Sequence, residues 1–288
     1  MVVNKRAFLS INYTYSGAPE KQEECPADIV SIWHCPLPVP GAICREAIPT
    51  LVIDLTQSLE EISSRIEKRT RQEIRRAEHD QLVFGMTETP GDNDMNAFFD
   101  FYDAFAAWKN LRQDFQEKRL VRFFASSGLM WLSKVSTADG KILTWHAYFM
   151  TNRAALLMSA SNPYYRSSAT SAERQLAGRA NRFHRWQDIR YFKEKGLTLI
   201  DFCGWYSGNT DLQKLNINRF KEEFGGKLVK EYKCWYGVTV KGKLFLRCWL
   251  LVDDLHGLKR KIMGLSPLLT QYLKNRQGPK AFLGENDP

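Results

Sequence analysis

The hydrophobic pattern of the chain switches repeatedly between a strand-like and a helical period. Leu51–Leu55 (LVIDL) is a short, β-branched apolar run, the pattern of a buried strand. Ser58 follows as an N-cap with Glu61 three residues later, and the helix it opens is predicted to reach about His79 with Ile62, Ile66, Ile74 and Ala77 inward. Leu82–Met86 alternates as a short strand. After the polar stretch Glu88–Asp94, the aromatic positions Phe98, Phe99, Phe101, Tyr102, Phe105, Trp108, Leu111 and Phe115 repeat at helical spacing, predicting one long amphipathic helix with a core-facing stripe. Leu129–Val135, Ile142–Met150 and Ala154–Ala160 read as three strands, the first two joined by the turn TADGK. Phe183, Trp186, Ile189 and Phe192 set a helix over Ala180–Lys195 that stops at Gly196. A buried strand Leu197–Phe202 and a helix Leu212–Glu223 come next. Val229–Val240 and Leu244–Val252 are expected to form a hairpin about Lys241–Gly242, with a closing helix from Leu255 to Asn275. Met1–Pro49, rich in Pro, Cys and turn residues, is expected to be irregular or edge structure.

The resulting plan is a mixed α/β (α+β) chain with a central sheet flanked by helices. Its expected division is a small N-terminal lobe over 1–90 and a larger domain over 95–288. With 288 residues, 44% hydrophobic and 12% aromatic, the chain has ample material for a core and is globular in composition. The apolar runs are too short for a spanning helix and the N-terminus lacks a continuous apolar segment, so a cytoplasmic protein is expected. In that setting the six cysteines are expected as free thiols, and the five histidines show no ligand spacing, so no metal is expected.

The charge of +9 is concentrated. Arg166–Lys195 holds eight Lys/Arg against Glu173, Asp188 and Glu194, and Leu255–Lys280 holds six with no acid. Such surfaces point to a polyanionic partner: a nucleotide, CoA, tRNA or an anionic lipid surface reached through 255–280.

Gly196–Gly226 reads GLTLIDFCGWYSGNTDLQKLNINRFKEEFGG. A buried strand ending Asp201-Phe202-x-Gly204, then Phe220-Lys221-x-x-Phe224-Gly225-Gly226, resembles the signature of the FemA/FemB peptidoglycan-bridge aminoacyltransferases, a branch of the GNAT superfamily. The upstream Arg69–Ala77 segment resembles the family's R-x-x-I-R-x-A element. The resemblance spans roughly 60–240 and implies a GNAT fold, here preceded by a smaller, partial GNAT-like lobe. It also implies transfer of an aminoacyl group from aminoacyl-tRNA to an amine on a wall precursor or metabolite. Two other readings stay open, a CoA-dependent N-acyltransferase and a non-catalytic module for an anionic ligand. No bound cofactor is expected; aminoacyl-tRNA or acyl-CoA is the co-substrate.

Aminolysis of an activated ester needs a positioned amine, a proton acceptor and donors for the developing oxyanion. Lys221 is the candidate for the oxyanion or a donor phosphate. Asp201, ending a buried strand, is the candidate for orienting or deprotonating the amine, and His146 is a candidate base. Gln175-Leu-Ala-Gly178-Arg179-Ala180 matches the Q/R-x-x-G-x-G/A pyrophosphate loop of CoA enzymes, with Arg174 beside it. Tyr164, Tyr165, Arg166, Trp145, Trp205 and Phe220 are the candidates for substrate contact.

Overall fold

A computed structural model describes residues 2–6, 9–15, 27–38, 40–111, 115–167 and 169–263. The chain divides into two units, one of 49–229 and one of 1–48 with 230–288. The boundary expected near residues 90–95 falls inside the first of these. Segments far apart in sequence share a unit because strand pairing, not chain proximity, joins them.

The 49–229 unit contains Lys221, Asp201 and His146. Its sheet runs in the order β4 (Cys44–Asp54), β9 (Leu199–Asp201), β8 (Arg153–Ser161), β7 (Ile142–Met150), β6 (Met130–Ser136) and β5 (Val83–Thr87). Neighbours are antiparallel except β8 and β9. Parallel pairing requires a crossover, supplied by α5 (Tyr164–Ser167) and the long α6 (Ser171–Glu194). The other helices are α1 (Leu59–Arg65), α2 (Lys68–His79), α3 (Asp92–Trp108), α4 (Phe115–Ser126) and α7 (Leu212–Glu222). One core joins Leu51, Ile53, Ile62, Ile66 and Ile74 to Tyr148, Ile189, Phe192, Ile200 and Phe224. This is the mixed α/β sheet flanked by helices that the pattern predicts.

The capping box forms as expected, Glu61 N donating to Ser58 Oγ at 3.1 Å and Ser58 N to Glu61 Oε2 at 2.8 Å. The single helix expected over 58–79 is two. Ile66 turns extended (ψ 137), and Glu67 N donates to Glu223 O at 2.8 Å rather than continuing the helix. The aromatic helix also divides, because α3 ends at Trp108 and Asn110 takes a left-handed φ of 51°.

In the other unit β1 (Val2–Arg6), β2 (Leu9–Tyr15), β3 (Ile29–Cys35) and β10 (Lys227–Gly237) pair in that order, so the N-terminal segment, expected as irregular or edge structure, supplies three strands with β1 at the sheet's edge. The predicted Val229–Val252 hairpin is also corrected. After β10 the chain enters α8 (Val240–Met263), which contains Lys241–Gly242 instead of turning there. Gly242 serves close packing: a Cβ on it would lie 1.9 Å from Asp28 O. Residues 264–275 of the expected closing helix lie outside the described residues.

Candidate functional site

The β8–β9 ladder is three pairs long and ends at Ala155 and Asp201, while β8 continues to Ser161. The chain beyond Asp201 therefore departs from β8, and two polar constellations gather around this parting.

The first is built on the end of β9. Asp201, fully buried, accepts from the Thr50 hydroxyl, from Cys203 N at 2.8 Å and from Arg153 Nη1 at 3.1 Å. Its carboxylate thus ties Thr50 and Arg153 to the end of β9 and shapes the turn that follows. Cys203 and Gly204 both take left-handed backbone, φ 48° and 52°. A non-glycine residue there costs about 1–2 kcal/mol, so the surroundings hold the bend. Asn218 on α7 helps, its side chain bonding Tyr206 O at 2.8 Å and Tyr206 N at 3.2 Å. The bend delivers two carbonyl groups to Lys221: its Nζ donates to Cys203 O and, at 2.7 Å, to Gly204 O. An ammonium has three donors, so one remains for a ligand oxygen. Lys221 is 8% exposed, and burial pulls it down from 10.5 to about 8, with the Arg185 guanidinium adding to the fall. At neutral pH it is still mainly a cation.

The Gly-Gly of the signature has a separate, steric reason. Gly225 has φ +68° and a Cβ there would lie 2.4 Å from Arg65 O; on Gly226 it would lie 2.1 Å from Leu51 Cδ2 and 2.9 Å from Val52 O. The two glycines let the end of α7 close against α1 and β4 while Phe224 fills the core. Phe220 stacks edge-on against Phe224, centroids 5.6 Å apart, with the Arg182 guanidinium over its other side at 5.5 Å. Arg182 in turn pairs with Glu223 through two 2.8 Å bonds, and Thr70 donates to the same carboxylate.

The second constellation lies between α6 and the sheet. His146 Nδ1 meets Asp188 Oδ2 at 2.7 Å, and Tyr148 OH donates to the same oxygen at 2.7 Å. His184 stacks on His146 with centroids 3.6 Å apart, and its ring nitrogens meet Ser133 Oγ (2.8 Å) and Thr144 Oγ1 (2.6 Å). All are buried. Burial, reinforced by Arg185 for His146 and by the neighbouring ring for His184, holds both imidazoles well below 6.5 and hence neutral; burial also raises Asp188. His146, His184 and Asp188 offer ligand atoms within 4.8 Å of one another. With the rings face to face, however, their in-plane lone pairs run parallel and do not converge on one ion. Arg185 connects the two constellations. Its guanidinium lies 5.0 Å over Phe202 and bonds Tyr148 OH and Ser159 Oγ at 3.4 Å each.

Several expectations change. His146 has no surface opening to a substrate and belongs to the buried lattice, so the base role expected of it is not met by its position. Trp145 faces the other side of β7, packed edge-on against Phe98 and Phe101. Gln175–Ala180 is not a loop but the interior of α6, where backbone amides are taken by the helix. The helix N-terminus is closed by its own capping box, Thr170 with Glu173. Arg174 donates to Ala169 O, Arg179 pairs with Asp80 at 2.7 Å, Ala180 is core, and Gln175 and Gly178 form no phosphate cradle. Tyr165 is buried and Tyr164 half exposed; the side chain of Arg166 lies outside the described ones. Trp205 remains beside the Lys221 turn, Trp205 N donating to Pro49 O at 3.0 Å. Residues missed by sequence are Arg185, Arg153, Thr50, Asn218 and the His184/Asp188 pair. Only the last had a local signal, an i,i+4 spacing on one helix face.

No family model matches the chain, and no curated protein matches it. Among solved structures it is similar to FemX, at 11% identity over 81% of this chain and 82% of that one, with a TM-score of 0.57. The C-terminal domain of a putative lysylphosphatidylglycerol synthetase from Agrobacterium fabrum is similar at 14% identity over 84% and 82%, with a TM-score of 0.49. Likeness at such identities is one of fold: the chain's fold is similar to that of FemX.

Proposed function

We propose that the chain is an acyltransferase that moves an aminoacyl group from aminoacyl-tRNA onto an amine carried by a cell-wall precursor or a small metabolite. The observation that carries this reading is the setting of Lys221. It is a buried cation, fixed by the Cys203 and Gly204 carbonyl groups at the parting of β8 and β9, with one donor left over. In the reaction the neutral amine attacks the acyl carbon and the carbonyl oxygen takes the negative charge. The Lys221 ammonium stabilises that oxygen, which is what a preorganised donor in a water-poor site does best. The ester bond to the tRNA 3′-oxygen then breaks, the amide remains, and the proton leaving the amine ends on that oxygen. Asp201 acts by shaping the Cys203–Gly204 bend rather than by touching the amine. The CoA-dependent alternative drew its sequence support from Gln175–Ala180, which is helical; aminoacyl-tRNA is therefore the preferred donor, and the cytoplasm the compartment where it is available.

The test offers the purified chain labelled aminoacyl-tRNA or acetyl-CoA with a panel of amines. Amide product from charged tRNA that disappears after RNase treatment supports the reading. Transfer that survives RNase, or that needs acetyl-CoA, sinks the tRNA donor. Failure of every donor, together with unchanged ligand affinity in Lys221→Ala, favours a binding module.

A further inference from the structure

A helix that packs one face on a core normally turns a polar face to water. α8 does not. Its inner face is fixed by Leu246, fully buried, and by Gly242 against Asp28. Its outer face carries Val240, Leu244 and Leu251, exposed by 83%, 62% and 63%. At 100° per residue these three fall within an arc of about 40°, so they form one stripe along the helix. Lys243 and Arg247, both exposed, flank it. The sequence continues the same three- and four-residue spacing with Leu255, Leu258 and Ile262, and adds Lys259, Arg260 and Lys261. An exposed apolar stripe of this kind marks an interaction surface.

From this stripe we infer that α8 is a membrane-surface helix, which lays Val240, Leu244 and Leu251 into the headgroup region of an anionic bilayer. Charge complementarity decides the occupant. Across Val240–Met263 six Lys/Arg stand against Asp253 and Asp254, so a bilayer with negative lipids suits both the apolar stripe and the cationic excess. No described helix is long and apolar enough to cross a membrane, which leaves lying on the surface. The inference is independent of the acyl-transfer reading.

The experiment is co-sedimentation of the full chain with vesicles of phosphatidylcholine alone or mixed equally with phosphatidylglycerol. The variants are Leu244→Gln/Leu251→Gln and Lys243→Gln/Arg247→Gln, with folding checked by circular dichroism. Binding is expected to the mixed vesicles only. The double leucine variant should lower the partition coefficient by about tenfold or more, given the value of two buried leucines. The charge variant should weaken binding, as should raising salt until the Debye length falls from about 10 Å to about 3 Å. Wild-type protein left in the supernatant, or equal binding by the folded leucine variant, overturns the inference. So does a self-associated species in sedimentation velocity that the leucine variant dissolves without any vesicle binding, since the stripe then receives a second copy. Vesicle binding that appears only after deletion of residues 264–288 also overturns it, because that segment then covers the stripe.

Discussion

Replacing Lys221 by methionine should alter how stability depends on pH, in a direction fixed by burial. The ammonium is 8% exposed, and its deprotonation moves from 10.5 to about 8 on folding. At about 1.4 kcal/mol per tenfold, that fall corresponds to about 3 kcal/mol by which folding disfavours the charged form. The unfolded chain keeps the proton up to 10.5 and the folded chain only to about 8. Between those values the unfolded state binds more protons, so stability rises with pH; below about 8 the penalty is full. Urea unfolding of wild type and Lys221→Met at pH 7 and pH 10 isolates the effect, because other groups titrate alike in both proteins. Loss of the two bonds to Cys203 O and Gly204 O adds an offset that does not depend on pH. The wild type should gain about 2–3 kcal/mol on the variant between the two pH values. Parallel profiles, or a gain by the variant, would refute a buried, charged Lys221.

Gly226→Ala should lose about 1–3 kcal/mol by overpacking against Leu51 and Val52, and Gly225→Ala at least about 1–2 kcal/mol from its left-handed φ alone; urea midpoints read both. Asp201→Ala removes the carboxylate that Arg153, Thr50 and Cys203 N share, and should cost about 3–5 kcal/mol in the same assay. Asp201→Asn should fall between that and wild type. In a transfer assay at saturating amine, the rate should decline as pH rises through about 8, where the Lys221 ammonium is lost; a rate that climbs steadily to pH 10 would instead make the neutral amine of Lys221 the active form.

What was legible in the sequence was what local physics decides. LVIDL reads as a strand because Leu51, Ile53 and Leu55 all enter one core, and the Ser58 capping box formed because both its bonds lie within three residues. The Gly196–Gly226 segment was read as strand then helix, which β9 and α7 match, while its Gly225-Gly226 pair turns out to permit close packing. The rest was decided by distant partners. Lys241–Gly242 has the composition of a turn, yet Gly242 is there for Asp28, more than two hundred residues earlier. The 58–79 helix breaks because Glu223 O captures Glu67 N. The Q-x-x-G-x-A pattern became helix because Thr170 and Glu173 cap it upstream. Arg185 carries no motif at all; its importance comes only from where α6 crosses the gap between β8 and Phe202.

The central claim is that a fixed Lys221 cation stabilises the oxyanion of an acyl transfer from aminoacyl-tRNA. The most direct measurement is single-turnover transfer from labelled aminoacyl-tRNA to an accepting amine by wild type and Lys221→Met, with tRNA affinity measured in parallel. The variant should bind tRNA within a few-fold of wild type while its transfer rate falls by about 10²–10³, the loss expected for one preorganised donor. Equal transfer rates in the two proteins would contradict it.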